Sequence, residues 1–385
     1  MSLFLNKNHY MKDYELSFKD KILNMSWSFF LFISLVVCIG LMLLYSITGG
    51  FDSLTERQLL HFGIGCLAFF IIAFSDLKLW MKYAYVIYIL TLGMLIYVYV
   101  SGAFHMGAQR WIDLKFIQVQ PSEMMKIALV LALARYFHAS DEDDVKRTTH
   151  LIIPTLLMLV PVGLIVLQPD LGTALMLVFV TAAIFWIVGV QRWKFIAVAC
   201  AGLAAIPVVW HFLHDYQRNR VLTFLNPEKD PLGVGYHILQ SKITLGSGGV
   251  FGKGFLQGTQ SHLNFIPEKH TDFIFTVLAE EFGLVGCSFL LVLYMIIIAY
   301  GFHMSLKSAN FFGKLLGLGL TVNFATYVFI NISMVMGIMP VVGIPLPLVS
   351  YGGTAMLVLM AGFGFIECVH VNEELEIGRT GVHDD

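Results

Sequence analysis

Apolar residues in this chain arrive in near-continuous blocks, not at helical or alternating intervals, and short polar stretches separate the blocks. Each block holds about 20 residues, the length an α-helix needs to cross the hydrocarbon core of a bilayer. The pattern predicts ten spans, roughly over 27–47, 59–75, 80–101, 122–138, 151–167, 171–190, 195–213, 273–304, 312–337 and 348–369. Only Gln168, Pro169 and Asp170 separate the fifth from the sixth, which requires a tight helical hairpin. The eighth, at 32 residues, is longer than one crossing needs, so the part up to Glu280, Glu281 and Gly283 is expected to form a separate surface or re-entrant helix.

Composition agrees with the blocks. The chain is 57% hydrophobic and 13% charged, with mean hydropathy +0.76. No polar stretch in its 385 residues is long enough for a second globular domain. The expected architecture is an all-α, polytopic membrane helix bundle forming one domain. A segment 1–26 and a tail 370–385 flank the spans, and one large loop, 214–272, interrupts them.

Of the 24 Lys and Arg residues, fourteen fall on the side of the bundle that the N-terminus occupies. Three (Arg57, Arg110, Lys115) fall in the short loops opposite, which predicts both termini in the cytoplasm and the large loop outside. The first apolar run is too long for a cleaved leader and reads as a signal anchor. The five cysteines are scattered one per hydrophobic segment and read as small buried apolar side chains. The net charge of −2 carries little information, and no nucleic-acid partner is expected.

The informative residues are charges that lipid should exclude. Lys126 follows Glu123 by three positions in "QPSEMMKIALV", which puts ammonium and carboxylate on one helix face. A lone charge at the bilayer centre costs about 2.5–3.5 kcal/mol, so both should face protein or water. Two readings stand: a self-neutralising pair that locks helix packing, or part of a larger polar site. Arg110 in "GAQRWIDL", Asp170 in "QPDLGTA" and Asp272 in "PEKHTDFIF" fall at the same membrane level as Glu123 under this topology. A cluster of both signs suits an anionic head group with a catalytic or coordinating carboxylate.

Thr271 or Asp272 is also suited to cap the helix that follows. His270 would tune Asp272 or contact water. Glu280 and Glu281 are expected to organise a helix break, with a functional role as the alternative. The stretch "GSGGVFGKGFLQG" (246–258) reads as a flexible loop or as a phosphate cradle, but it lacks the P-loop spacing. In "PLPLVSYGGT", packing accounts for the prolines and glycines, while Ser350 is a candidate ligand contact.

Together with "DPLGVGYHILQSKITLGSGG", "GKGFLQGTQS" and "AEEFGLVG", these motifs resemble, in order and along almost the whole chain, the SEDS family of shape, elongation, division and sporulation proteins. The likeness is to its rod-shape branch more than its division branch. The acidic "SDEDD" (140–144) and the acidic C-terminal tail depart from the pattern.

The resemblance implies a glycosyltransferase that joins lipid II units into peptidoglycan strands at the outer face of the cytoplasmic membrane. Undecaprenyl pyrophosphate would leave, and the partners would be a class B penicillin-binding protein and the elongation machinery. It places the family's essential acid on Asp272 and its cavity residues on Arg110, Glu123, Lys126 and Asp170, with Lys242 carried over more weakly. The reaction needs a base for the acceptor hydroxyl, for which Asp272 is the choice, and positive charge for the departing pyrophosphate. Arg110, Lys126 or Lys242 would supply that charge, or a divalent cation, Mg²⁺ or Mn²⁺, bridging carboxylate and phosphate. The alternative is a flippase or transporter of the lipid-linked precursor, which would also carry a charged pocket within its bundle.

Overall fold

The computed structural model describes residues 17–101, 103–105, 108–113, 118–212, 215–229, 234–262 and 268–378. The first 16 residues, the tail beyond 378 and Lys115 lie outside the described residues. Ten long α-helices dominate: α1 (Trp27–Thr48), α2 (Ser53–Ala73), α3 (Leu77–Ser101), α4 (Pro121–His138), α5 (Ile152–Leu167), α6 (Leu171–Val188), α7 (Arg192–Phe212), α8 (Ile274–Lys307), α9 (Phe311–Val335) and α10 (Gly353–Val371). They coincide with the ten predicted spans to within a few residues. Among the described residues, eight helices are long and apolar enough to cross a membrane; α4 and α7 are not among them. Large apolar side chains such as Leu31, Leu67, Ile71, Ile89, Phe289 and Met295 point outward, as a lipid-facing bundle requires.

Helix α4 holds Glu123, Lys126 and Arg135 within 18 residues. It is tolerated because protein encloses it: nearly all its side chains are buried, against α3, α5, α6, α9 and α10. Small residues bring neighbouring helices together. A Cβ on Gly364 of α10 would lie 2.8 Å from the Phe69 carbonyl of α2, and one on Gly65 of α2 would lie 2.8 Å from Met360 Cγ of α10. The α5–α6 hairpin forms as expected, with Gln168 N–H and Asp170 N–H both donating to the Ile165 carbonyl.

Two features depart from the sequence-based expectation. Between α3 and α4 the chain forms a small antiparallel sheet, β1 (Ala103–His105), β2 (Ala108–Asp113) and β3 (Gln118–Val119), in that order, with Ala103 opposite Trp111 and Ile112 opposite Val119. The described residues of the large loop are largely helical, with helices over Asp215–Leu225, Val234–Ser247 and Thr259–His262.

Helix α8 is broken at Gly283, whose φ of 62° and ψ of −157° leave helical geometry. A break inside a bilayer strands backbone N–H and C=O groups that must be satisfied by protein. The segment 248–254 satisfies them. Lys253 and Gly254 N–H donate to the Glu280 and Glu281 carbonyls, and Leu284 and Val285 N–H donate to the Gly249 and Val250 carbonyls, at 2.9–3.1 Å.

The glycines of this segment allow contact with the α8 backbone: a Cβ on Gly248 would lie 1.8 Å from the Ala279 carbonyl, and one on Gly252 2.1 Å from that of Glu281. The flexible-loop and phosphate-cradle readings of this stretch both give way to a docked plug. Glu280 and Glu281 organise the break, as expected. The fully buried Glu280 carboxylate accepts from Lys253 Nζ at 2.7 Å and from Gln260 N–H at 2.8 Å, and Glu281 accepts from Ser46 Oγ of α1.

A Cβ on Gly283 would lie 2.4 Å from Gly252 N, in a backbone conformation L residues rarely adopt. Gly283→Ala should therefore cost at least about 1–3 kcal/mol from strain alone and lower the thermal unfolding midpoint in detergent. Gly246→Ala, at an exposed helical site with no neighbour in reach, should leave the midpoint unchanged or raise it.

Candidate active site

The predicted site residues gather at one end of the bundle, at the C-terminal end of α9 and the N-terminal ends of α4, α6 and α8. Glu123 and Lys126 form an ion pair of 2.6 Å. They are 5% and 1% exposed, so the pair is sealed within protein and does not open into water. Tyr327 of α9 completes it: its hydroxyl donates to Glu123 Oε2 and accepts from Lys126 Nζ. Lys126 Nζ also sits 4.0 Å from the centroid of the Tyr327 ring. Each charge thus has two partners, which a low-dielectric interior demands.

Asp170 is buried at the start of α6, where its carboxylate caps the helix: it accepts from Thr173 N–H at 3.3 Å, Thr173 Oγ1 at 2.9 Å and Gln120 Nε2 at 3.3 Å. It is close enough to Lys126 for their charges to interact. Arg110, on β2, donates through Nε to the Gln168 carbonyl at 3.1 Å and through Nη2 to that of Pro169. It therefore braces the hairpin turn that presents Asp170.

Asp272 lies in a turn, 268–273, ahead of α8. The N-cap position belongs to Phe273, which has no side-chain cap, and not to Thr271 or Asp272 as expected. The chain instead curls so that Thr271 N–H and Phe273 N–H both donate to the Glu268 carbonyl, and Thr271 Oγ1 turns back to the same residue. Asp272 is half-buried. In the same turn, burial pushes the Lys269 ammonium below its ordinary range, and His270 Nδ1 is buried with no hydrogen-bond partner among the described residues.

The segment 336–352 draws these stretches together. Gly343 faces Asp272, with its Cβ position 3.4 Å from Oδ2. Val342 and Ile344 pack on Gly172, two residues after Asp170, and the stem of the exposed Lys242 lies across Gly337. The buried Ser350 hydroxyl donates to the Thr271 carbonyl at 2.6 Å and accepts from Leu346 N–H at 2.7 Å. Tyr351 N–H donates to the His270 carbonyl at 2.8 Å. Beneath the segment, a cavity of about 10 Å³, lined by Tyr327, Pro345–Leu348 and Ser350 among others, has room for about one water.

Sequence reasoning missed Gln58, Tyr327 and Asn331. Gln58 of α2 donates to the Ser350 carbonyl at 3.0 Å and accepts from Gly352 N–H at 3.2 Å. Asn331 of α9 donates to the Asp272 and Ile344 carbonyls. For Tyr327 and Asn331 the signal is a polar side chain within an otherwise apolar span, which also faces protein; Gln58 follows Glu56 and Arg57 in a polar stretch and carries no such signal. Among the described residues, no group of three or more His, Cys, Asp or Glu side chains converges to hold a metal ion. A lone Asp272 carboxylate still suits Mg²⁺, which is commonly held by one or two carboxylates together with substrate phosphates and water.

Residues 21–375 match the FtsW, RodA and SpoVE family model, described as cell cycle proteins. The chain is 44% identical over 336 residues to the peptidoglycan glycosyltransferase MrdB of Escherichia coli (strain K12), covering 87% of this chain and 90% of that protein. It is 32% identical over 343 residues to stage V sporulation protein E of Bacillus subtilis (strain 168), covering 86% and 93%.

Among solved structures, it is similar to a chain from a study of the structural coordination of polymerization and crosslinking by a peptidoglycan synthase complex. The TM-score is 0.79 and the identity 33%, over 91% of this chain and 98% of that one. It is also similar to the rod shape determining protein RodA of Thermus thermophilus, with a TM-score of 0.69 and 30% identity over 91% and 97%.

Removing one member of a buried ion pair costs about 3–5 kcal/mol, more than removing both. Lys126→Met should therefore lower the thermal midpoint sharply, and adding Glu123→Gln should restore a large part of the loss. A double variant no more stable than Lys126→Met would contradict the pairing.

Proposed function

Because this chain belongs to the FtsW, RodA and SpoVE family of cell cycle proteins, we infer that it is a peptidoglycan glycosyltransferase and that Asp272 is its general base. It polymerises lipid II, and undecaprenyl pyrophosphate departs as each bond forms. The acceptor hydroxyl loses its proton to Asp272 as its oxygen attacks the anomeric carbon of the donor, and the pyrophosphate leaves from the opposite face. The leaving group is already stable, so the protein's tasks are to hold the base and to neutralise the phosphates.

The observation that carries this reading is the set of contacts around 336–352. The Asp272 carboxylate, the Lys242 stem and the α6 start that bears Asp170 all border that one segment. The exposure of Lys242 suits direct contact with phosphate oxygens, whereas Lys126, engaged by Glu123 and Tyr327, suits holding the site's shape and field. Arg110 braces the Gln168–Asp170 turn and adds positive charge beside it. Asp272 would be the residue to hold a divalent cation, which would supply further neutralisation of the phosphates when bound.

Arg110, Glu123, Asp170 and Asp272 sit at one end of the bundle, which favours polymerisation over transport of the precursor. In the membrane, the Lys and Arg asymmetry supports cytoplasmic termini and an external site. Lipid II would then be used where the wall is built, with a class B penicillin-binding protein cross-linking the strands and the elongation machinery directing the pair.

Purified protein in detergent, given lipid II, tests the assignment. General-base catalysis contributes about 10²–10⁴-fold, so Asp272→Ala should lose polymer formation by at least about 100-fold while still binding lipid II. Polymer made at the wild-type rate by Asp272→Ala would exclude Asp272 as the base.

A further inference from the structure

Asn331 lies within α9, is fully buried, and is not charged. Its side-chain amide donates to the Asp272 carbonyl at 2.9 Å and to the Ile344 carbonyl at 2.7 Å, so both N–H groups are used on two separate segments. The amide oxygen is buried with no hydrogen-bond partner among the described residues. A buried acceptor left unpaired is unfavourable. The amide holds this orientation because the two carbonyls require donors there, and its own oxygen is left without a bond.

The Ser350 hydroxyl and the Tyr351 N–H pin the turn at residues 271 and 270. The Asn331 bond is made at residue 272 itself. Its second bond fixes Ile344, the neighbour of Gly343, whose Cβ position is 3.4 Å from the Asp272 carboxylate. The amide therefore sets both the backbone that carries the acid and the wall the acid faces. One helical turn away on α9, Tyr327 closes the Glu123–Lys126 pair, so one helix face ties the buried charges to the turn.

We propose that Asn331 is the positioning residue for Asp272, clamping the turn 268–273 to the segment 343–346 so that the carboxylate is held where it meets the acceptor hydroxyl. This rests on Asp272 as the base. Asn331 touches no reactant and acts through the Asp272 backbone. Misplacing a reacting group by about 1 Å costs about 100-fold in rate, and the loss belongs in kcat and not in KM.

The test compares wild type with Asn331→Leu, which matches the shape without donors, and Asn331→Ser, which keeps one donor. The measurements are lipid II polymerisation kinetics, the thermal midpoint in detergent, and the rate of carbodiimide labelling at Asp272 read by mass spectrometry. The expected result for Asn331→Leu is a fall of about 100-fold in kcat, KM within about threefold, and faster labelling of Asp272. Asn331→Ser should recover part of the rate.

Folded variants with wild-type kcat would overturn the proposal. So would a loss of rate in both variants that only tracks the loss of folded protein. Asp272→Ala separates the two ideas: an active Asp272→Ala defeats the base assignment, whereas an inactive one beside fully active Asn331 variants defeats only the positioning role.

Discussion

A polar group inside this bundle can find a partner only in protein or trapped water, because the surrounding lipid offers none. The Glu123–Lys126–Tyr327 network is the most demanding case. Two charges are held inside a helix that neighbours enclose, and each is neutralised by the other and hydrogen-bonded to the same phenol. The network dictates which faces of α4 and α9 must meet, and with them the position of the segment that leaves α9. The same rule explains the plug at Gly283, the Asp170 cap on α6 and the Asn331 clamp on the Asp272 turn.

These solutions share one end of the molecule. The segment 336–352 contacts the Asp272 turn, the start of α6, the helix over Val234–Ser247 through Lys242, and α1, where a Cβ on Gly40 would lie 2.7 Å from Val349 Cα. If Asp272 is the base, as proposed, it would be mobile on so short a turn were solvent alone around it. Here Ser350, Tyr351 and Asn331 hold three successive carbonyls, those of Thr271, His270 and Asp272. The glycosyltransferase reading draws on that rigidity, because the reaction needs a proton acceptor in a defined place more than it needs a strong acid or base.

Much of this was legible in the sequence. Block lengths give the ten helices, the spacing of Glu123 and Lys126 gives their pairing, and the excess length of the eighth block with its acidic pair gives the break at Gly283. What stayed hidden has a physical reason. A span apolar on every side carries no periodic signal of which face meets protein, so its charges stand out while Tyr327 and Asn331 do not. The glycines of 246–258 signalled close approach, but only the fold shows that they approach the α8 backbone. Ser350 drew attention as a hydroxyl, and the fold shows both of its bonds made within the protein.

In the proposed function, the buried charged network would act through α9 to hold the Asp272 turn in place. Tyr327→Phe tests it most directly, because it removes one hydroxyl from the network and leaves every proposed reactant-contacting group intact. A hydrogen bond to a charged group contributes about 1.5–3 kcal/mol to stability, so the variant should melt at a lower temperature, and kcat for lipid II polymerisation should fall with KM nearly unchanged. A variant that melts at a lower temperature yet polymerises at the wild-type kcat would show that the network stabilises the bundle without governing the chemistry.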